Sequence, residues 1–368
     1  MKRFAQLHLL TSYPPANLNR DDLGRPKTAV MGGATRLRVS SQSLKRAWRT
    51  SDVFESSLKG HVGTRTKEMG CRVFANLKEQ GVKDKKAAEW AKAIAGCFGK
   101  LKTLSKDEEK KLKGDDLSPE ERAKLTMRPL EIEQLAHFSP EEEQAIADLV
   151  ALLAERDDAP TNDELKLLRK QHTAADISLF GRMLASSPAF NVEAAAQVAH
   201  AISVHKVAVE DDFFTAVDDL NNGEDDMGAA HMGETEFAAG LFYQYICLDR
   251  ALLEENLGGD SALVESTINA FFEAAMTVAP TGKQNSFASR ARASYALCEV
   301  GDQQPRSLAA AFLKPVVAED MLAEAVARLD QTVINMDKAY GDCADARSVM
   351  NIATGEGSLQ DILATATE

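Results

Sequence analysis

The chain has 368 residues, 27% of them charged and 6% aromatic, with a formal net charge of −13 at pH 7. Those values exclude a disordered chain and fit a soluble globular protein, and no apolar run approaches the roughly 18–20 residues of a membrane span. Five scattered cysteines without a CxxC pair read as reduced thiols of a cytoplasmic protein, and the histidines have no metal-ligand spacing, since His200 and His205 lie five apart. Neither a metal nor a cofactor is expected.

Alternation through Phe4, Leu7 and Leu9 predicts a first strand over 2–11. Gln6 and His8 interrupt its apolar stretch, and Ser12-Tyr13-Pro14-Pro15 ends it, so it is not a signal segment. A Gly-, Pro- and Asn-rich loop, 12–35, leads to Arg36-Leu37-Arg38-Val39, which alternates as a half-exposed strand does. Ser40 or Ser41 then serves as N-cap of a helix running to about Thr50. On it Gln42, Lys45, Arg46 and Arg49 recur at i, i+3, i+4 and i+7 and form a cationic face, while Leu44, Ala47 and Trp48 form the packing face. Residues 1–50 carry ten basic side chains against Asp21 and Asp22, a local balance of +8, which leaves −21 for the remainder. The asymmetry points to a local polyanion site on a protein that otherwise repels nucleic acid. The amides of the helix's first turn add to it; the plain alternative is a solvated amphipathic helix.

From 51 to 172 the chain turns Lys-, Glu- and Ala-rich and lacks strand periodicity, with helical runs at Ala87–Phe98, Glu131–Phe138 and Pro140–Arg156. Pro140 followed by Glu141, Glu142 and Glu143 suits a helix start. This part reads as a helical insertion, basic first (Lys83, Lys85, Lys86, Lys92, Lys100, Lys102) and acidic later. Strand-like alternation returns at Asp176–Met183, then at Ala196–Val207, and again at Glu236–Asp249. Between the last two lies an acidic, Gly-rich excursion, 208–233, bearing Phe213-Phe214. Helices at 250–257 and 261–278, a strand near Arg292–Glu299 and a helix near 318–339 complete an α+β sheet core with insertions.

Several segments resemble the CasC family, the repeated backbone subunit of the type I-E CRISPR surveillance complex Cascade. They are Asn17-Leu18-Asn19-Arg20-Asp21-Asp22, Gly32-Gly33, Arg38-Val39-Ser40-Ser41-Gln42-Ser43-Leu44-Lys45-Arg46-Ala47, Gly181-Arg182-Met183 and His200-Ala201-Ile202. Phe214-Thr215-Ala216-Val217-Asp218-Asp219-Leu220, Glu236-Phe237, Gly240-Leu241-Phe242-Tyr243 and Glu255-Asn256-Leu257-Gly258-Gly259 continue the likeness. It covers almost the whole chain, most weakly in 51–172 and after about 300.

The resemblance implies an RRM-like (ferredoxin-like) palm from 1–50, 173–207 and 234–368, helical fingers at 51–172 and a β-hairpin thumb at 208–233. It implies a non-catalytic subunit that polymerises head to tail along CRISPR guide RNA, beside other Cascade subunits, with target DNA pairing to the guide. A scaffold for any guide must grip phosphate and sugar rather than bases. Arg20, Lys27, Arg38, Ser40, Gln42, Lys45, Arg46 and Arg49 fit that grip; by the resemblance Arg182 joins them on the RNA and Met183 packs against a displaced base, where a strand Met is otherwise filler. Phe213 and Phe214, on an acidic thumb, form an apolar wedge between bases; without the resemblance such a pair is as a rule a core anchor. Lys83, Lys85, Lys86, Lys100 and Lys102 on the fingers are assigned to target DNA, against the alternative of a solvated lysine face. A rival reading, drawn from type III backbone subunits, is a guide-directed, metal-dependent ribonuclease using Asp21 and Asp22. A second rival is a free-standing RNA-binding protein, against which the length of the excursion argues.

Overall fold

A computed structural model describes residues 1–114, 117–216 and 231–368. Its contacts divide the chain into two compact units. One comprises Met1–Ser57, Ala196–Ala251 and Glu265–Glu368, and the other Leu58–Ala195 with Leu252–Val264. The second unit therefore includes 173–195, which the sequence reading grouped with the palm.

The first unit begins with β1 (Phe4–Ala16), longer than expected and almost wholly buried from Ala5 to Thr11. The anticipated loop that follows contains a short strand, β2 (Thr28–Met31), paired with β3 (Ala34–Val39). Met31 faces Ala34 across Gly32-Gly33, whose φ angles of 60° and 75° give the two-residue turn that suits hairpin twist. At Gly32 a Cβ would also lie 1.6 Å from the Leu313 carbonyl oxygen, so no side chain fits there. α1 (Ser41–Arg49) is capped by Ser40, and α2 (Asp52–Ser57) follows.

The second unit opens with β4 (Thr64–Thr66), α3 (Met69–Glu79), α4 (Asp84–Gly96), α5 (Lys106–Lys113) and α6 (Pro119–Met127). The Glu131–Phe138 run is not a helix: its end forms β5 (Ala136–Phe138), buried throughout and paired with β4. α7 (Pro140–Arg156) has the expected bounds, with a capping box joining Ser139 and Glu142. Trp90, Phe98, Phe138, Leu149 and Leu153 belong to the core these elements enclose. Asp176–Met183 is not a strand either: α8 (Ala175–Phe180) stops at Gly181, whose φ is 79°. Asp176 is spent inside, accepting from the Gly63 amide at 2.8 Å and meeting His137 Nε2 at 2.7 Å.

The strand expected over Ala196–Val207 is broken into β6 (Ala196–Val198) and β7 (Ala201–Ser203). β8 (Glu210–Ala216) and β9 (His231–Asp249) pair antiparallel as the described part of the excursion. Its middle, 217–230, with the Asp218 and Asp219 of the sequence reading, lies outside the described residues. α9 (Arg250–Asn256), α10 (Ser261–Thr277), the short α11 (Gln284–Phe287), β10 (Tyr295–Gly301) and α12 (Met321–Tyr340) come next. Two elements absent from the sequence reading close the chain, β11 (Ala346–Asn351) and α13 (Leu359–Thr367). Among the described residues the main sheet runs β11-β10-β1-β9-β7-β3-β2, with β6 and β8 also paired to β9. The fold is thus α+β, its named strand pairs antiparallel. Leu10, Tyr243, Tyr295, Phe312 and Leu329 share a cluster that joins the sheet to α12. Trp48 of α1 meets Phe271 of α10 edge to face at 5.8 Å. Among the described residues no helix is long and apolar enough to cross a membrane.

Candidate nucleic-acid interface

The basic region of the first unit is held by a loop whose polar groups are used internally. Arg20 bridges Pro26, and the Lys27 amide donates to the Asn19 carbonyl at 2.8 Å, closing residues 19–27 on themselves. One Asp21 carboxylate oxygen accepts from the Leu23 and Arg25 amides, each at 2.9 Å. This is an aspartate turn, so that oxygen is committed to the backbone. Among the described residues no group of three or more His, Cys, Asp or Glu side chains is placed to hold a metal. Buried Asn17 donates to the Gly24 and Glu236 carbonyls, tying the loop to β9. Asn19 Oδ1 accepts the Ser40 amide at 2.9 Å, which joins the loop to the cap of α1.

α1 then presents its charge as its periodicity predicts. Leu44, Ala47 and Trp48 are buried, Gln42 and Arg46 exposed, and Lys45 and Arg49 half-buried. Burial lowers the Lys45 pKa from its ordinary value, the direction expected of an ammonium partly removed from water. Ser40 Oγ accepts from the Ser43 amide, and the first turn holds no acidic side chain.

Arg38 extends the positive surface from α1 towards the loop. Its amide donates to the Lys27 carbonyl at 2.8 Å, and its guanidinium reaches His200 Nδ1 at 3.0 Å. Burial first, then the Arg38 and Lys27 charges, lower the His200 pKa, so the ring is a neutral acceptor beside two cations. Arg36 does not join this surface as its alternation with Arg38 implied. It is 0% exposed, and its guanidinium donates to the Ser203 and Phe312 carbonyls.

On the β8–β9 hairpin Phe213 is 61% exposed and Phe214 43%. They differ in surroundings, because Phe214 lies opposite Gly233, where a Cβ would come within 2.6 Å of its ring. Glu210, Asp211 and Asp212 are exposed on the same strand. The hairpin base is anchored by Lys283, which donates to Thr235 Oγ1 at 2.6 Å, and by Phe237 against Phe287. Neither Lys283 nor Asn19 has a site role in the sequence; only the asparagine, a frequent loop-turn former within the 17–22 segment, carries a local signal.

The remaining candidates lie in the second unit. Arg182, expected on RNA, is a core residue there: it pairs with Glu142 at 2.7 Å and donates to the His137, Arg169 and Phe190 carbonyls. Its neighbour Met183 is 77% exposed, beside Leu184, which is buried. Among the fingers lysines, Lys86 pairs with Asp157 at 2.7 Å, Lys100 with Glu133 at 2.8 Å, and Lys102 with Glu131. Lys83 and Lys85 are exposed at the start of α4 and make no ion pair among the described residues.

The first unit thus carries basic side chains on the 19–27 loop, on β3 and on the outer face of α1, segments joined by the Asn19–Ser40 and Lys27–Arg38 hydrogen bonds on an antiparallel α+β scaffold. Comparison with known proteins agrees with that class. The chain belongs to the CT1975-like protein family, whose description matches residues 5–366. It is similar to a chain of a "CRISPR RNA-guided surveillance complex, pre-nicking", with a TM-score of 0.81 and 29% identity over 99% of both chains. A chain of a second "CRISPR RNA-guided surveillance complex" matches with a TM-score of 0.70 and 25% identity, again over 99% of both. A search of curated proteins gave no significant match.

Proposed function

We propose that this chain is a non-catalytic backbone subunit of a Cascade surveillance complex, of the type I-E, CasC kind. It polymerises head to tail along CRISPR guide RNA in the cytoplasm, grips the guide by its phosphates and presents segments for pairing with target DNA. The observation that carries this reading is the end-to-end likeness to a surveillance-complex chain at 29% identity, with a TM-score of 0.81. The neighbour order β10-β1-β9-β7, with α1 lying between β1 and β7 in the chain and α10 between β9 and β10, supports reading the first unit as an RRM-like palm. Residues 51–172 supply fingers and the excursion at 208–233 a thumb. The grip consists of Arg20, Lys27, Arg38, Ser40, Gln42, Lys45, Arg46 and Arg49, aimed at phosphate. In this reading Asp21 is a loop-forming residue, one of its carboxylate oxygens held by two backbone amides.

The test is guide retention. The double variant Lys45→Ala, Arg49→Ala removes two charges from the face of α1 and leaves Leu44, Ala47 and Trp48 in place. Complexes purified with it should lose guide RNA, increasingly so as salt rises. Normal guide content at moderate salt would place the RNA on another face.

A further inference from the structure

The β2–β3 hairpin forms the far end of the main sheet, and its pairing to the rest is short. β3 meets β7 in two registered pairs, Arg38 with Ile202 and Val39 with Ala201. Beyond them the junction relies on Arg36, on Ser203 Oγ accepting the Leu37 amide at 3.0 Å, and on the Val207 amide donating to the Thr35 carbonyl at 2.9 Å. This hairpin carries Arg38 and runs directly into Ser40, the cap of α1.

Arg36 is unusual chemistry for such a place. It is fully buried, yet no ion pair with a carboxylate is formed by it among the described residues. Nη1 donates to the Ser203 carbonyl on β7 at 3.0 Å, and Nη2 to the Phe312 carbonyl at 2.9 Å. Nε is buried and has no partner. Burying an uncompensated charge is unfavourable, and filling space alone calls for an apolar side chain. What arginine supplies is a rigid planar fork able to bridge two carbonyls on two separate segments. The ammonium of lysine is a point charge and cannot reproduce that bridge.

We infer that Arg36 is a positioning residue for the nucleic-acid face, holding β3, Arg38 and the α1 cap in place without itself touching RNA. The inference rests on the guide-binding reading above. It concerns a residue that the basic surface does not include, and it assigns the two arginines of one strand different duties. Arg38 meets phosphate, while Arg36 fixes where Arg38 stands.

Binding of the full chain to a fluorescently labelled, mixed-sequence, single-stranded oligoribonucleotide, titrated at several salt concentrations, separates the possibilities. Thermal unfolding is measured alongside. A direct phosphate contact contributes about 0.7 to the salt slope on single strands. Arg38→Gln should lower the slope by about that amount. Arg36→Lys keeps the charge but loses the fork, so it should weaken binding and lower the slope by up to the same amount, because Arg38 is no longer held against phosphate. Ser203→Ala, which loosens the same junction with no change of charge, should give the same pattern in smaller measure and covers the case in which Arg36→Lys fails to fold. Unchanged affinity in folded Arg36→Lys and Ser203→Ala, with only a lower melting temperature, would overturn the inference. Native affinity and slope in Arg36→Lys, together with a slope lowered by about 0.7 in Arg36→Gln, would overturn it too, by making Arg36 a direct phosphate contact. If Lys27→Gln and Arg38→Gln also bind RNA as the native chain does, the guide-binding reading itself has failed.

Discussion

Neighbouring cations in this chain differ in duty because of where the fold puts them. Arg182 and Glu142 are paired at 2.7 Å with side chains 1% and 0% exposed. Removing one member of a buried pair leaves the other charge stranded, which typically costs about 3–5 kcal/mol. Arg182→Ala should therefore lower stability on that scale in denaturant titrations and leave the salt slope of RNA binding unchanged in the folded protein. Arg38 is half-exposed with a neutral histidine for a neighbour. Its substitution by Gln should do the reverse, altering the slope with a stability change near zero.

Two elements carry predictions of their own. In the β8–β9 hairpin Phe214 covers Gly233, an arrangement in which an aromatic shields a cross-strand glycine. Phe213 is the more exposed ring. Phe213→Ala should remove stacking of roughly 1–3 kcal/mol per displaced base, read as weaker target pairing by a guide-loaded complex with guide content intact. Phe214→Ala should instead loosen the hairpin, seen as faster amide exchange along β8. In the second unit the segment before α8 holds His172, whose Nδ1 accepts the Ala174 amide at 3.2 Å. Burial, and next the Arg182 charge, push its pKa down from 6.5 to about 4. The unfolded chain thus takes up a proton below pH 6.5 that the folded one refuses until about pH 4. This group's contribution is complete above pH 6.5, is lost as the pH falls towards 4, and changes no further below that. The loss approaches about 3 kcal/mol. Stability curves of His172→Gln should be flatter than those of the native chain across that window.

At the scale of the whole molecule the scaffold and nuclease readings diverge. A backbone subunit should elute as a small species alone and as a large one with guide RNA, since head-to-tail contacts propagate along the strand. Size-exclusion chromatography with and without RNA reads this directly, and a species of unchanged size would favour a free-standing RNA-binding protein. Incubation of guide-loaded complex with labelled target RNA and DNA in Mg²⁺ should leave both intact. Asp21→Ala should open the 19–27 loop and weaken RNA binding. Regularly spaced products that vanish in the Asp21→Ala or Asp22→Ala variant would favour cleavage.

What the sequence by itself determined is what depends on neighbours along the chain. The cap, length and two faces of α1 follow from a Ser at the start and a period of 3.6 residues. The bounds of α7 follow equally from Ser139, Pro140 and the glutamates after them, because helix signals act within one or two turns. The charge asymmetry of residues 1–50 was likewise legible before any fold was known. What only the tertiary structure decided is which charges face solvent. Arg36 and Arg38 are indistinguishable in an alternating strand, yet a carbonyl 276 residues away captures one of them. Arg182 reads as a basic residue after a glycine, and Glu142, 40 residues earlier, makes it part of a core. The same holds for β5 and α8, misread from their local pattern. Short apolar runs satisfy helix and strand periods alike, and pairing with β4 or the turn at Gly181 settles the matter. Burial is a property of contacts distant in the chain, so no local period can report it.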